Sequence, residues 1–163
     1  MKRRNIRTIA PLQSWDIFAQ YRVLCAIDSE KQKDFALLNL LAKKHKWTFD
    51  TNSIYNEDYT AIVITDHTQH IEWVNNGFTD MTGFTKSYAI GKHPSFLQGK
   101  DTSLETKFKI RTAIENKESI AQQLLNYKKD GTPYLCDVKI IPLFNHIDVL
   151  THFIAFEKKG RVA

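Results

Sequence analysis

The chain has 163 residues and a mass of 18.9 kDa, which is enough for one domain of ordinary size with a short extension. Hydrophobic residues make up 42% and charged residues 25%, with 6 Gly and 4 Pro, so disordered and collagen-like classes are excluded. The sequence has neither a run of roughly 18 apolar residues nor a secretory signal pattern, and its two cysteines are too few for a disulfide framework. We therefore expect a cytoplasmic protein without membrane contact.

The formal net charge of +5 lies in the first third of the chain. Residues 1–50 carry ten Lys or Arg against five Asp or Glu, whereas residues 51–163 carry thirteen of each. Many of these cations lie near the N terminus or at the expected end of a helix, where they favour the helix dipole. Nucleic-acid binding is therefore not expected from this charge.

The first 50 residues predict two amphipathic helices. One follows Ser14 as its N-cap and runs through residues 15–25, and the second begins at Asp28 or Ser29 and ends in a lysine-rich turn before Trp47. The polar segment 49–58 is typical of a hinge. We therefore divide the chain into a helical extension, residues 1–50, and a second domain, residues 51–163.

From residue 59 onward the pattern changes to strands. YTAIVITD and HIEWVN predict a hairpin, short capped segments follow, and one longer helix begins after Asp101 or Thr102 as its cap. Three more strands come last, the first two joined at the tight Asp130-Gly131 turn. The order predicts an α+β fold with a five-stranded antiparallel sheet that carries short helices and one longer helix on one face.

Alternation along the last two strands leaves an apolar face turned away from those helices. Its residues are Ile141, Leu143, Ile154 and Phe156. Such a face needs a cover, and either the N-terminal helices or a second subunit could provide it. We expect the extension to pack there through Phe18, Leu38 and Leu41 and to mediate a homodimer.

The stretch GKHPSFLQGKDTSLETKFKIRTAI, followed by LLNYKKDGTPYLC and THFIAFEK, resembles the flavin-binding light-oxygen-voltage (LOV) branch of the PAS superfamily over roughly residues 59–158. The resemblance implies a PAS fold with a ligand pocket. LOV domains carry the motif G-x-N-C-R-F-L-Q-G, whose cysteine forms the photochemical adduct with flavin. Here the motif is Gly91 to Gly99, and Pro94 occupies the position of that cysteine.

The resemblance also implies which residues line the pocket. Gln98, Arg111 and Asn126 match flavin contacts of the family, with the arginine on the phosphate, whereas Ser95, Cys136 and Glu157 replace other contacts. Without the thiol of the family's cysteine, adduct photochemistry is excluded. Because several polar contacts are altered as well, we expect no cofactor, with FMN as the alternative.

Several candidate residues allow two interpretations. Glu157 could be a buried sensing carboxyl, but a strand end turning into solvent is favoured. Cys136 is expected to be a small core residue rather than a redox thiol. Arg111 and Asn126 could hold either the scaffold or a ligand, and this choice stays open.

Histidines raise the question of haem or a metal. His93 is included among the pocket residues, but haem is not expected because the long helix carries no histidine. The His67 to His70 segment lies in a hairpin turn where such residues are common, so no metal site is expected.

The sequence contains no phosphate-binding glycine loop, nucleophile elbow or zinc-protease motif, so we expect no enzyme activity. The favoured function is a non-catalytic PAS sensory and protein-interaction module in signal transduction, acting as a homodimer with an unidentified signalling partner. The alternative is a small-molecule sensor whose pocket takes flavin or another aromatic or anionic ligand.

Overall fold

The computed structural model describes the backbone of residues 14–161, and within the first helix it leaves out the side chains of residues 14–18, 21 and 23–28. Four α-helices and five strands make up the described chain, with short 3₁₀ helices at Thr51–Asn56 and Pro94–Leu97. In chain order these are α1 Ser14–His45, β1 Ala61–Asp66, β2 Ile71–Val74, α2 Asn76–Thr82, α3 Lys86–Ala89, α4 Leu104–Glu115, β3 Ile120–Tyr127, β4 Pro133–Phe144 and β5 Leu150–Lys159.

The five strands form one antiparallel sheet in the order β2-β1-β5-β4-β3. The central strand β5 pairs with β1 on one side and with β4 on the other, so Glu157 lies opposite both Ala61 and Val138. The predicted α+β fold with a five-stranded antiparallel sheet is confirmed.

The inner face of the sheet packs against the helices between β2 and β3. Its buried cluster joins strand residues such as Val63 and Cys136 to Phe78 and Met81 of α2 and to Leu97. Ile110 of α4 packs against the same cluster. This layer contains the cavity described below.

The outer face is covered by α1 and the segment that follows it. Leu38 of α1 lies in one buried cluster with Leu143, Ile154 and Phe156 of the sheet. Leu41 and Ile141 pack against this cluster, and Ile54 of the first 3₁₀ helix is fully buried within it. Residues 51–56 are therefore a packed connection rather than the open hinge that their polarity predicted.

The extension differs from the prediction in one respect, since α1 is a single helix of 32 residues. Asp28 and Ser29 lie inside it, so the prediction of a second helix start there is wrong. No Gly or Pro interrupts residues 14–45, and the packing of buried Leu38 and partly buried Ala42 on the sheet favours continuation over a local cap. The side chains of Phe18 and Cys25, which the sequence analysis also considered, lie outside the described residues.

Helix α4 begins at Leu104, so its N-cap lies one residue beyond Thr102, the later of the two predicted caps. Ser103 is the N-cap, and its side chain accepts a hydrogen bond from the Thr106 amide. Thr102 has a different role, because its hydroxyl donates to the Leu125 carbonyl at 2.6 Å and so fixes the loop to β3.

A buried polar network joins α1 to the start of α2. The Asn75 side chain caps α2 by accepting from the Phe78 amide, and its Oδ1 also accepts from the Ile62 amide at 2.9 Å. Its amide nitrogen donates to Asp34 Oδ2 at 2.9 Å, and the Tyr59 hydroxyl donates to the same oxygen. Burial raises the pKa of Asp34. This network therefore holds α1 on the domain in addition to the apolar contacts.

Among the residues that the structure describes, no helix combines the length and the apolarity that crossing a bilayer requires.

Candidate functional site

A cavity of about 110 Å³ lies between the inner face of the sheet, α4 and the motif loop at residues 93–98. Its wall is mostly apolar, with residues from β1, β3, β4, β5 and α4. The polar side chains on this wall are Thr65, Gln69, His93, Ser95, Gln98, Asn126 and Glu157.

The motif loop is held in place by close packing and hydrogen bonds. A Cβ atom at Gly99 would overlap the ring of Tyr127, so a larger residue here would require that ring to move. The Gly99 amide donates to the Thr102 hydroxyl at 2.9 Å. Pro94 opens the 3₁₀ helix at its first position, where the missing N–H costs nothing. This conformation places Pro94 and Gln98 on the cavity wall.

The buried polar side chains of the wall are Thr65, Asn126 and Glu157, and Asn126 and Glu157 have 4% and 7% of their surface exposed. Asn126 Oδ1 and Glu157 Oε2 have no hydrogen-bond partner among the described residues. A buried polar atom without a partner costs about 1–3 kcal/mol. Both oxygens are therefore available to a ligand that offers hydrogen-bond donors.

The burial of Glu157 contradicts the favoured interpretation of this residue as a solvent-exposed strand end. Strand β5 continues to Lys159 and keeps its pairing with β4 as far as Lys159, so the end does not fray at residue 157. Burial raises the pKa of Glu157 to about 7, and the neighbouring Cys136 thiol opposes this shift. The carboxyl can thus change its protonation near neutral pH.

Two of the predicted pocket residues lie off the wall. Arg111 is on the surface of α4, with 77% of its side chain exposed, and its Nε donates to Glu115 Oε1 at 2.8 Å. Cys136 is fully buried in the inner cluster, and burial raises the pKa of its thiol. A thiol in this state is a poor nucleophile.

His93 lies at the edge of the cavity and links two loops. Its Nε2 is 3.0 Å from Gln69 Oε1 in the β1–β2 turn, and its Nδ1 is 2.9 Å from the Ser95 hydroxyl. Burial lowers the pKa of His93. Gln69 was not predicted to line the pocket, because a polar residue in a hairpin turn carries no signal that it reaches one.

Comparison with known proteins places this geometry in a family. Residues 60–158 match the family described as the PAS domain, which is more than half of the chain. The chain belongs to the PAS family. Its relatives and structural neighbours identify it as a LOV-like PAS domain, as the resemblance implied.

The curated relatives include a blue-light photoreceptor of Listeria innocua, which is 40% identical over 106 residues, 63% of this chain and 42% of the relative. Phototropin-1B of Oryza sativa is 31% identical over 105 residues, 64% of this chain and 11% of the relative. This PAS domain therefore spans less than half the length of either relative.

Solved structures agree with the fold. The light-state structure of the blue-light photoreceptor Aureochrome1 LOV has a TM-score of 0.63 and 26% identity, covering 67% of this chain and 88% of that one. The LOV domain of an Erythrobacter litoralis blue-light-activated histidine kinase has a TM-score of 0.60 and 26% identity, covering 64% of this chain and all of that one.

These relatives contradict the expectation that the pocket takes no cofactor, since they are blue-light photoreceptors. A further solved neighbour, with a TM-score of 0.63 and 25% identity over 68% of this chain and 84% of that one, is described in terms of a flavin analogue in a LOV domain. The expectation of a cofactor-free pocket is therefore corrected.

The residues on the wall fit a flavin-type ring in chemistry. An apolar cavity with the unmatched oxygens of Asn126 and Glu157 suits a flat heteroaromatic ring with polar atoms along one edge. The present volume is smaller than the roughly 300–1,000 Å³ of ligand pockets, so such a ring requires wall side chains to move outward. Gln98, Ile110 and Ile114 are among the partly exposed residues of this wall.

Proposed function

We propose that this PAS domain is a non-catalytic sensor that binds a flavin-type ligand without a covalent bond in the inner-face cavity. The observation that carries the proposal is the pair of buried side chains, Asn126 and Glu157, whose unmatched oxygens lie on an apolar cavity wall. The blue-light photoreceptors among the relatives favour the same class of ligand.

A bound flavin would supply blue-light absorption and electron-transfer chemistry. This chain offers no thiol at position 94, where Pro94 lines the cavity. Cys136 does not replace that thiol, because it lies off the wall and burial favours its neutral form. The response is therefore expected to run through hydrogen bonds and proton positions rather than through a carbon–sulfur bond.

Glu157 is the residue best placed to report such a change. Its pKa of about 7 lets the buried carboxyl hold a proton as a donor or release it and accept a hydrogen bond. A change in the ligand's charge or donors would shift this balance. Asn126 would then fix the orientation of the ligand through its amide.

The sheet offers a short connection from Glu157 to the extension. Phe156, which precedes Glu157 on β5, points to the outer face, where its ring lies 5.5 Å from that of Tyr59. The Tyr59 hydroxyl donates to Asp34 of α1. We expect a shift of β5 to change the position of α1, and α1 to mediate a homodimer or contact with a signalling partner.

A binding titration tests the proposal. Riboflavin and FMN are titrated separately into the purified full chain, and quenching of flavin fluorescence gives the dissociation constants. Replacing Asn126 with alanine removes one hydrogen-bonding wall residue and is expected to weaken binding of both flavins about tenfold or more.

Asn116→Ala is the matched control, because Asn116 is exposed at the end of α4, outside the cavity. It is expected to bind flavin like the original protein. A folded protein that binds neither flavin, or an Asn126→Ala variant with unchanged affinity, would contradict the proposal. Circular dichroism establishes that each variant is folded.

A further inference from the structure

Three side chains with metal-binding chemistry meet on the outer face of the sheet, opposite the cavity. His45 is the last residue of α1, Glu72 lies on β2, and His152 lies on the central strand β5. One ligand atom from each of the three lies within 4.8 Å of the others. The three residues border a recess of about 320 Å³ beside Leu37, Leu41 and Trp73.

Aromatic packing fixes the two imidazole rings. The ring of His45 meets that of His152 edge-on at 4.2 Å, and Trp47 stacks on His45 at 5.3 Å. Trp47 also meets His152 at 5.0 Å and is itself held by a 2.9 Å hydrogen bond from its indole to Thr151. The rings are therefore pre-oriented toward one another.

The polar atoms of this cluster are incompletely matched. His152 Nε2 is within hydrogen-bonding distance of Glu72 Oε2 at 3.1 Å, which is also close to the separation of two ligands of one ion. His45 Nε2 and His152 Nδ1 are buried and have no hydrogen-bond partner among the described residues. His152 has 5% of its surface exposed, so water does not reach it freely. An apolar helix-to-sheet contact alone would not require two such rings.

We propose that His45, Glu72 and His152 form a binding site for Zn²⁺ that ties the C-terminal end of α1 to the outer face of the sheet. Two imidazole nitrogens and one carboxylate oxygen are a ligand set that zinc accepts, with the fourth position left to water. Small side-chain rotations bring the three atoms from their present separation to a tetrahedral spacing.

The charges around the cluster determine how tightly it is expected to bind zinc. Glu72 contributes one negative charge, and Lys44 borders the same recess and opposes a cation. Lys44 is exposed and can turn into solvent. The site is therefore expected to bind zinc reversibly. Binding there would stabilise the covered form of the domain, because it links α1, β2 and β5.

Calorimetric titration of zinc chloride into the full chain, after chelator treatment and without an affinity tag, tests this proposal. One ion per chain is expected to bind, and thermal unfolding is expected to shift upward in zinc. Glu72→Gln keeps the size of an exposed side chain and is expected to weaken zinc affinity about tenfold or more. His45→Gln is expected to do the same.

His67→Gln is the matched control, since His67 is an exposed histidine in the β1–β2 turn, and its affinity is expected to be unchanged. A folded chain that takes up no zinc would overturn the proposal. So would a Glu72→Gln, His45→Gln double variant that is folded and binds zinc as tightly as the original protein.

Discussion

The Glu157 carboxyl lies on the inner face of β5, between Ala61 of β1 and Val138 of β4. Its pKa is about 7 in the folded protein and near 4.5 for an ordinary glutamate, so between these values the folded state binds more protons than the unfolded one. The contribution to stability is therefore fully present below about pH 4.5 and is lost as the pH rises through 7.

Glu157→Gln is expected to remove this dependence. The variant should gain stability relative to the original protein as the pH rises from 5 to 8, by up to about 3 kcal/mol, because its side chain cannot become charged. Urea unfolding at each pH measures the difference. All other ionisable groups are the same in the two proteins, so their contributions cancel in this difference. The exposed variant Glu118→Gln should show no such trend, and a constant difference for Glu157→Gln would disprove the assignment.

Arg111 carries a separate prediction about the ligand's phosphate. Its guanidinium is exposed on α4 and pairs with Glu115. Arg111 directly follows Ile110, which lines the cavity. Arg111→Gln is therefore expected to weaken FMN binding several-fold and to leave riboflavin binding unchanged, since an exposed charge contact contributes about 0.2–1 kcal/mol.

Lys109→Gln serves as the control for Arg111, because Lys109 is also an exposed cation on α4 and pairs with Glu105. Fluorescence titration with both flavins gives the four affinities. An equal loss of FMN and riboflavin affinity in Arg111→Gln would argue against phosphate recognition.

At the scale of the elements, helix α1 covers the outer face of the sheet. Leu38 is 1% exposed and lies in the outer cluster with Ile154 and Phe156, whereas Leu40 on the same helix is 67% exposed. Leu38→Ala should cost about 2–5 kcal/mol of unfolding free energy through lost burial and an unfilled cavity.

Leu40→Ala makes the same chemical change at an exposed position and should alter stability by less than about 0.5 kcal/mol. Equilibrium urea unfolding compares the two variants. Equal losses would mean that α1 does not pack on the sheet as described.

The strands and helices also show which parts of the fold sequence patterns can predict. Alternation along β4 and β5 separates Val138 and Ala155 from Leu143 and Ile154, and the structure places these pairs in the inner and outer clusters. The continuity of α1 was not predictable, because Asp28 is a good cap locally. Packing against residues distant in the sequence determines whether the helix continues through it. Local propensity therefore locates the strands better than it locates the helix boundary.

For the molecule as a whole, the extension is expected to keep the domain soluble and to mediate a homodimer. Removing residues 1–48 exposes Leu143, Ile154 and Phe156, so the fragment should aggregate, whereas removing residues 1–13 leaves α1 in place. Light scattering after gel filtration gives the masses, and twice 18.9 kDa is expected for the full chain. A monodisperse fragment lacking residues 1–48, as stable as the full chain, would contradict this role.

The two sites differ in how far the sequence predicts them. Pro94, Gln98 and Asn126 were assigned through a family resemblance, and they line the cavity. The burial of Glu157 was the less favoured of two interpretations, because the sequence does not show how far β5 stays paired. The His45, Glu72 and His152 cluster follows no spacing motif, since α1, β2 and β5 meet only through tertiary packing.

The most direct test of a non-covalent flavin sensor is the visible absorption spectrum of the flavin-loaded full chain before, during and after blue illumination. We expect the flavin band to be present and to undergo no bleaching of the thiol-adduct type, and Pro94→Cys, which places a thiol on the cavity wall, to gain such bleaching with recovery in the dark. Reversible adduct-type bleaching in the original protein, or the absence of any bound flavin, would contradict the account.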